Sequence, residues 1–262
     1  MQSINLDSQG REELPSTLAD RQDIASLSAY NNRLTTVPDW LWSLEELRSL
    51  NLSANQLTTL SEKISALQHL RMLDIGHNHI NILPDALGEL AGLEGFLYLS
   101  DNGIERLPDT LTHLTRLRYL NITDNRLKTL PSELGQMQGL IEVRAYRNPL
   151  EAIPESIGDL IHLRELHLDQ TPLTALPESI GGLHELRVLS LRGCQIAQVP
   201  ATIGGLVRLR HLDLRANALK NLPADIADLP NLEKLDLRWN HHLNSPPDWL
   251  ETLAERGCVV YL

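Results

Sequence analysis

The sequence is poor in aromatic and sulfur-containing residues. Phenylalanine, tyrosine and tryptophan make up 4% of its 262 residues, so a hydrophobic core must be built from leucine and isoleucine. Two cysteines, Cys194 and Cys258, are too few for a disulfide framework. No apolar stretch approaches the roughly 20 residues of a membrane-spanning helix, and no charged-then-apolar leader precedes the rest of the chain. We therefore expect an intracellular, reducing environment and predict a cytoplasmic protein.

Positive charge is also scarce. The chain has 23 lysines and arginines against 34 acidic residues, which gives a net charge of -11. Nucleic acids and anionic membranes attract cationic surfaces, so this charge argues against non-specific binding to either. We predict that neither nucleic acid nor membrane is a partner.

Leucine, in contrast, recurs at a fixed spacing along the whole chain. One repeat, Leu209 to Asn231, reads LRHLDLRANALKNLPADIADLPN, and its template is LxxLxLxxNxLxxLPxxIxxLxx. Successive repeats begin 23 residues apart, except that Leu93 and Leu117 are 24 apart. The repeats begin at Met1, Ile24, Leu47, Leu70, Leu93, Leu117, Leu140, Leu163, Leu186, Leu209 and Leu232. A period of this length predicts a stacked solenoid.

This template resembles the leucine-rich repeat in its 23-residue LPxxI form, which occurs in bacterial proteins, plant intracellular Ras-group proteins, and the erbin and scribble proteins. The resemblance implies an α/β solenoid. Its expected form is a right-handed horseshoe with a concave parallel β-sheet and short helical or irregular convex returns. It also implies protein binding on the concave face.

The residue pattern supports this architecture independently. Alternation with period two around LxL predicts a strand with one buried face, whereas spacings of three and four in LPxxIxxL predict a helical or irregular return. A single turn cannot bury its own leucines, so the repeats must stabilise one another by stacking. We predict one domain over residues 1–262, with a polar capping repeat at 1–23, regular repeats at 24–231, and a C-terminal repeat and cap at 232–262.

Asparagine occupies the turn that follows most strands. Its amide can both donate and accept hydrogen bonds, so it can satisfy backbone groups that leave a buried strand. In leucine-rich repeats this position forms a hydrogen-bonded ladder, and Thr171 and Cys194 stand in for asparagine in two repeats. The column comprises Asn32, Asn55, Asn78, Asn102, Asn125, Asn148, Asn217 and Asn240.

Both chain ends read as caps. Arg11 and Arg21 stand where core leucines are expected, so the first repeat is a degenerate, polar one. At the other end, PPDWLETL from Pro246 predicts a short helix, Gly257 is suitably placed to end it, and CVVYL predicts a closing strand. With two caps, we expect a complete protein.

Candidate binding residues lie at the outward strand positions, the third, fifth, seventh and eighth of each repeat. In the middle of the chain these positions gather four of the six Tyr and Phe residues, together with an arginine. Such residues typically anchor protein interfaces. The alternative is that the rings only cover the strand backbone and stabilise the sheet. The predicted partner-binding residues here are Tyr30, Met72, Asp74, Phe96, Tyr98, Tyr119, Asn121, Arg144 and Tyr146.

The extra residue near Gly95 falls within this patch. One interpretation is a bulge that re-aims the side chains of the strand. The other is an insertion tolerated in the preceding turn.

Arginines line the outward positions nearer the C-terminus. Arg192, Arg215 and Arg238 stand at the same position of consecutive repeats, with Asp213 and Asp236 two residues before the last two. They predict either a ladder of weak surface ion pairs or a docking site for an acidic partner segment. His167 and the outward Trp239 complete the predicted partner-binding set.

Catalysis finds little support in the sequence. A nucleophile needs a base within reach and a pocket that excludes water, and an open sheet offers neither. Neither His77 with His79 nor His241 with His242 has the spacing of a zinc site. We predict no catalytic residue, no metal and no cofactor.

The leading hypothesis is therefore a non-enzymatic, cytoplasmic scaffold of bacterial type that binds a protein or peptide. The alternative is a host-directed bacterial effector or a substrate-recognition subunit that uses the same face. Export and homo-oligomerisation are left open by the sequence.

Overall fold

The computed structural model of the protein describes residues 2–243 and 247–262. Met1 and Pro246, where the first repeat and the predicted C-terminal helix were to begin, lie outside these ranges. The chain divides into two compact units, Met1–Leu127 and Lys128–Leu262, here named the N-terminal unit and the C-terminal unit. Each is a stack of repeats, and the prediction of a single domain stays a prediction.

The N-terminal unit consists of parallel strands in sequence order, each hydrogen-bonded to the next. Its strands are β1 (Gln2–Asn5), β2 (Ile24–Ser28), β3 (Ser49–Asn51), β4 (Met72–Asp74), β5 (Phe96–Tyr98) and β6 (Tyr119–Asn121). Short 3-10 helices form the returns, at Ser16–Leu18, Asp39–Ser43, Glu62–Ala66, Asp85–Glu89 and Asp109–His113.

The C-terminal unit repeats this arrangement and ends in an α-helix and a final strand. Its strands are β7 (Glu142–Arg144), β8 (Glu165–His167), β9 (Val188–Ser190), β10 (His211–Asp213), β11 (Lys234–Asp236) and β12 (Val259–Tyr261). Its 3-10 helices are Leu134–Gln136, Glu155–Asp159, Glu178–Gly182, Ala201–Gly205 and Ala224–Ile226, and the helix α1 is Trp249–Glu255.

The leucines form the core of both units, as predicted. In β3 and the turn after it, Leu50 and Leu52 are fully buried, while the alternating residues Ser49 and Asn51 are half-buried and face outward. The same alternation recurs at Leu212 and Leu214. Because each strand buries one face only, its outward side chains are free to vary without loss of the core.

Proline sets the start of most returns. Pro38, for example, is extended, and its carbonyl accepts a hydrogen bond from the amide of Leu41, 3.0 Å away. The proline ring fixes φ and there is no amide hydrogen to leave unpaired, so the residue suits a helix start. The leucine that ends this 3-10 helix, Leu44, is buried and closes the turn by donating to Leu41. The LPxxI half of the repeat is therefore a single short helical turn.

The returns pack too closely for side chains at some glycines. A Cβ atom at Gly181 would lie 2.4 Å from the carbonyl oxygen of Thr202, and one at Gly205 would lie 2.4 Å from that of Gly181. Neither position can hold a larger residue unless the returns separate, which explains the repeated IGGL segment.

The asparagine column forms the predicted ladder. In the N-terminal unit the Asn55 amide donates to the carbonyls of Leu52 and Ala29, each at 2.9 Å, and its Oδ1 accepts from the Leu34 amide at 3.0 Å. Each such side chain therefore binds backbone groups of its own repeat and of the preceding one. The prediction that this column is structural is confirmed.

In the C-terminal unit two repeats lack the asparagine. Thr171 Oγ1 donates to the Leu168 carbonyl at 2.8 Å, and Cys194 Sγ reaches the same carbonyl at 3.3 Å. The two side chains also contact each other at 3.3 Å. They replace part of the ladder, as predicted, but neither offers the additional donor of an amide.

The residue before this column adopts a left-handed backbone in every repeat from Asn31 to Trp239, a feature that the sequence pattern did not reveal. Ala54, for example, has φ of 53°, and Trp239 has φ of 63°. Such conformations are uncommon for residues other than glycine, and bulky ones rarely adopt them. They turn the chain out of the strand, and Gly193 (φ 70°) supplies the least strained version.

The extra residue near Gly95 lies in the preceding turn and does not bulge the strand. Phe96 pairs with Met72 on one side and with Tyr119 on the other in regular register. The amides of Gly95 and Phe96 both donate to Arg71, which is the pattern of the other repeats. Glu94 is therefore the inserted residue, and the bulge interpretation is wrong.

The chain ends take the predicted forms. In the first repeat, Arg21 pairs with Asp23 at 2.8 Å and also donates to Gln2, while Leu14 and Leu18 are buried. At the other end, α1 packs Leu250 and Leu253 inward, and β12 pairs with β11. Gly257 ends the helix with φ of 90°.

Candidate functional site

The outward side of the strands, called the strand face below, carries two rows of predicted residues in the N-terminal unit. Met72, Phe96 and Tyr119 are aligned across β4, β5 and β6. Asp74, Tyr98 and Asn121 form the second row of the same three strands. Strand pairing alone thus brings these six predicted residues together.

Three rings of these rows form one cluster, here named the ring cluster: Phe96, Tyr98 and Tyr119. The ring centroids of Tyr98 and Tyr119 lie 5.0 Å apart, and those of Phe96 and Tyr119 lie 5.7 Å apart. Phe96 stacks on Tyr98 with 13° between the ring planes and 6.1 Å between centroids. These are the offset and tilted arrangements that aromatic pairs favour. Phe96 is still 47% exposed, so the cluster offers an apolar surface to solvent.

Polar groups border the ring cluster. Asp74 is half-buried, and its Oδ1 accepts a hydrogen bond from the Gly76 amide at 3.0 Å. Burial raises the pKa of this carboxyl, and hydrogen bonds from Gly76 and Ser53 offset only part of the effect. Asn121 holds the equivalent position beside Tyr98 and accepts from the Thr123 amide at 3.1 Å. Tyr30, 44% exposed, stands apart in the second repeat.

The C-terminal unit carries arginines and carboxylates on its strand face. Arg238 binds Asp236 with two hydrogen bonds, of 2.9 Å from Nε and 2.7 Å from Nη2. Arg215 binds Asp213, with 2.9 Å between Nε and Oδ1, and lies 3.3 Å from Asp236. This arrangement corrects the sequence interpretation of Asp236 as a surface residue, because its side chain is 0% exposed. The two arginines cover it.

The pKa of Asp236 reflects these partners. Burial alone would raise it, but the hydrogen bonds from Arg238 and the charges of Arg215 and Arg238 outweigh burial, so the pKa is lowered. The pKa of Arg215 is raised, chiefly by its hydrogen bond to Asp213. The network is thus charged at neutral pH and is only partly open to solvent. The predicted ladder of ion pairs is present, but it is not a simple surface ladder, because the carboxylate of Asp236 is buried.

The third arginine of the predicted ridge behaves differently. Arg192 is exposed, and its backbone amide donates to Asp169 at 3.1 Å, while Ser190 donates to the same carboxylate at 2.6 Å. No ion pair of the Arg192 side chain is found among the described residues. Arg192 therefore projects alone, and the predicted ridge of three equivalent arginines does not form.

One predicted residue of the C-terminal unit, His167, lies in a cluster that could hold a metal ion, and a second, Arg144, borders that cluster. Arg144 Nε lies 2.5 Å from Glu142 Oε1, and His167 Nε2 lies 3.1 Å from Glu165 Oε2. One ligand atom each from Glu142, Glu165 and His167 lie within 4.8 Å of one another. The Arg144 guanidinium already supplies positive charge to this cluster. Histidine spacing within a repeat does not reveal this cluster, because its three side chains come from two neighbouring strands.

Aromatic side chains of the C-terminal unit contact cations. The Arg147 guanidinium lies over the half-buried Tyr146 ring at 5.1 Å, and that of Arg238 lies 4.8 Å from the ring centre of Tyr261. Trp239 is 54% exposed, with Arg238 at 5.8 Å. Tyr261 was not among the predicted binding residues, although the predicted closing strand CVVYL aligns it with Asp236. The contacts of Arg238 stabilise Tyr261 and Trp239 beside the arginine network.

The cysteines are not poised as nucleophiles. Both are free and buried. Burial raises the pKa of the Cys194 thiol and that of the Cys258 thiol. A thiol with a raised pKa is mostly protonated at neutral pH and reacts poorly.

A family model described as a leucine-rich repeat region matches residues 39–145 and 150–255. The chain belongs to the leucine-rich repeat family. A search of curated proteins gave no match. No helix among the described residues of this leucine-rich repeat chain has the length and apolar character required to cross a membrane.

Several solved structures are similar. One is the leucine-rich repeat ectodomain of the Arabidopsis thaliana membrane receptor kinase GASSHO1/SCHENGEN3 in complex with CASPARIAN STRIP INTEGRITY FACTOR 2 (30% identity, TM-score 0.76); it covers 86% of this chain, which spans only 28% of the ectodomain. The plant peptide hormone receptor RGFR1 in complex with RGF2 is 28% identical (TM-score 0.76), with coverage of 86% and 37%. The leucine-rich repeat domain of the type III effector XopL is 30% identical (TM-score 0.68), with coverage of 79% and 73%.

Proposed function

We propose that the chain is a non-enzymatic binding module that holds a protein or peptide partner on its strand face, centred on the ring cluster. The observation that carries this proposal is an apolar surface at positions that the core does not require. Leu97 and Leu120 between the rings are fully buried and complete the core. Phe96 nevertheless remains 47% exposed on the opposite side of the strand.

The composition of this surface suits a partner protein. Aromatic side chains supply most binding energy at protein interfaces, where they are surrounded by polar groups that fix register. Here Asp74 and Asn121 flank Tyr98 in the same row. A partner would place an apolar side chain on the rings and hydrogen-bond donors beside the carboxylate of Asp74.

Solved complexes of similar proteins support a protein or peptide as the partner. RGFR1 is described as a peptide hormone receptor and was solved with RGF2 bound. The GASSHO1/SCHENGEN3 ectodomain was likewise solved with its factor. Both are much longer than this chain, so we carry over only the use of a leucine-rich repeat region to hold a protein or peptide.

The C-terminal unit offers a second set of contacts within the same proposal. Arg192 and Trp239 are exposed there, whereas Arg215 and Arg238 are engaged by carboxylates. We propose that Arg192 and Trp239 contact the partner directly. Arg215 and Arg238 would then hold the shape of this surface.

The test is a binding measurement with defined variants. Peptides selected from a random display library on the immobilised protein supply the ligand, and isothermal titration calorimetry measures the dissociation constant. Phe96→Ala should weaken binding by about 30-fold, since a central interface ring contributes about 2 kcal/mol or more. Ile82→Ala is the matched control, because Ile82 is 80% exposed but lies outside the strand face.

The controls separate binding from folding and from self-association. Phe96→Ala should melt within about 2 °C of the wild type, because a half-exposed ring contributes little to the core. Equal loss of affinity in the Phe96 and Ile82 variants would contradict the site, and so would unchanged affinity in both. If the protein forms dimers and the dimers no longer bind the selected peptide, the ring cluster is the contact surface for a second copy of the chain.

A second candidate function is supported by the likeness to the leucine-rich repeat domain of XopL, of which the chain covers 73%. XopL is described as a type III effector, so this chain could serve as the recognition part of an exported protein. Detection of the protein outside the producing cell, in a strain whose export apparatus is intact and not in one where it is deleted, would favour this candidate. Retention in both strains would eliminate it.

A further inference from the structure

We propose that the C-terminal unit binds the phosphate group of a phosphate monoester in an arginine-lined pocket beside the strands. The pocket has a volume of about 230 Å³ and is lined by Arg187, Arg208, Arg210 and Asn231. It lies outside the strand face, and the proposal does not depend on the function proposed above.

The repeat explains why these side chains converge. Leu209 points inward and is fully buried, so its neighbours Arg208 and Arg210 both point outward just before β10. Backbone pairing sets Arg187 beside Arg210, whose amide donates to the Arg187 carbonyl at 2.9 Å. Asn231, one repeat after Arg208, donates through its amide to the Val207 carbonyl at 2.7 Å. Three guanidinium groups therefore come from two adjacent repeats.

The three arginines differ in whether a carboxylate lies close to them. Arg208 lies 2.7 Å from Glu185, and Arg210 lies 3.5 Å from Glu233, which also contacts His211 at 3.7 Å. No ion pair of Arg187 is found within the described part of the chain. The pocket thus holds one guanidinium more than its carboxylates balance.

A matching segment of the N-terminal unit shows what a neutralised version looks like. Arg116 and Arg118 flank the buried Leu117 just before β6, as Arg208 and Arg210 flank Leu209. The inserted Glu94 there binds Arg116 and also lies 3.5 Å from Arg71. The inserted Glu94 has no counterpart in the C-terminal unit, where Arg187 stands at the position that Gly95 holds in the N-terminal unit. The C-terminal segment therefore gains a guanidinium and lacks this acid.

This charge pattern selects an anion with several acceptor oxygens. The chain is acidic as a whole, with a net charge of -11. Physiological salt screens charges more than about 8 Å away, so the nearby guanidinium groups determine the electrostatic potential in the pocket. Planar guanidinium groups bind phosphate oxygens through paired hydrogen bonds. A carboxylate would satisfy Arg187 alone. A phosphate dianion has three terminal oxygens and can bridge Arg187 to Arg208 and Arg210.

The test measures the affinity of the whole chain for inorganic phosphate by isothermal titration calorimetry at constant ionic strength. Arg187→Gln should weaken binding by about tenfold or more, because it removes charge-assisted hydrogen bonds and strands no carboxylate. The affinity of Arg187→Lys should fall between those of the wild type and Arg187→Gln, since lysine keeps the positive charge but lacks the paired donors of a guanidinium group. Arg116→Gln is the matched control and should leave affinity unchanged.

Further probes decide the carrier of the phosphate. N-acetyl-O-phosphoserine amide represents a phosphorylated partner chain, and glucose 6-phosphate represents a free metabolite. Tighter binding of either, with the same loss in Arg187→Gln, identifies the source, and equal binding shows that recognition stops at the phosphate. Acetate binding as tightly as phosphate, an equal loss in Arg116→Gln, or no heat at millimolar phosphate would each overturn the proposal.

Discussion

The strand faces of the two units share one backbone pattern and present different chemistry. The N-terminal unit displays a cluster of stacked rings, whereas the C-terminal unit displays arginines closed over carboxylates. The fifth position of the repeat makes the contrast sharpest. Asp74 lacks an arginine partner among the described residues and has a raised pKa, while Asp236 is covered by Arg215 and Arg238 and has a lowered pKa. The fold thus fixes where a side chain points, and its neighbours fix its chemistry.

The largest effect on this comparison should come from removing Asp236. Asp236→Ala removes the carboxylate that Arg238 binds through two charge-assisted hydrogen bonds and that Arg215 also contacts, and we expect a cost of about 3 kcal/mol. Urea denaturation at pH 7 measures the change in the free energy of unfolding. Asp236→Asn keeps one acceptor oxygen and should lose less. A loss below about 1 kcal/mol in Asp236→Ala would show that the arginines rehydrate freely.

The asparagine ladder should give the next largest effect. Asn55→Ala removes the partner of four backbone groups at once, and we expect a loss of about 2 to 3 kcal/mol in the free energy of unfolding. Cys194→Asn tests the reverse change, because it restores the amide in the interrupted part of the C-terminal unit. We expect it to be neutral or stabilising. Equal losses in the two variants would mean that the ladder in the C-terminal unit is built around the thiol.

The smallest effect should be the pH dependence of Asp74. Its pKa is raised in the folded protein, so the folded state holds this proton more tightly, and the contribution of Asp74 to stability falls as pH rises above its unfolded pKa of about 3.9. Asp74→Asn keeps the acceptor for Gly76 and removes the charge. It should stabilise the protein by less than about 1 kcal/mol at pH 7, and the gain should vanish near pH 3.

Asp236 provides the opposite sign as an internal control. Its pKa is lowered, so its contribution is present above the unfolded pKa and is lost as pH falls through the folded value. Denaturation curves from pH 3 to pH 7 for the wild type, Asp74→Asn and Asp236→Asn should therefore diverge in opposite directions. Parallel curves would contradict the assigned causes of both shifts.

The fold could be predicted from the sequence because periodicity carries it directly. Leu50 and Leu52 repeat at positions that only a one-sided strand explains, and Asn55 stands where the strand must turn. The rows that contain the ring cluster could be predicted from the same repeat register, because residues at equivalent outward positions of successive repeats lie side by side on neighbouring strands.

Contacts between repeats that do not recur with the period could not be predicted. Nothing in the spacing of Asp236 shows that two arginines would cover it. Glu94 could be placed only through hydrogen bonds of Gly95 and Phe96 to Arg71. The arginine pocket escaped notice because Arg208 and Arg210 flank an inward leucine, outside the four strand positions that were considered.

The asparagine ladder also bears on how such a chain changes length. Its bonds join residues at constant offsets, as when Asn55 and Asn78 each bind a carbonyl 26 residues earlier and accept from an amide 21 residues earlier. A duplicated repeat of 23 residues would recreate every one of these bonds at its new joints. The strand face can therefore grow or shrink in steps of one strand, about 4.8 Å, while the bonds between neighbouring repeats stay the same. Under the function proposed here, duplication of a repeat would lengthen the surface offered to a partner.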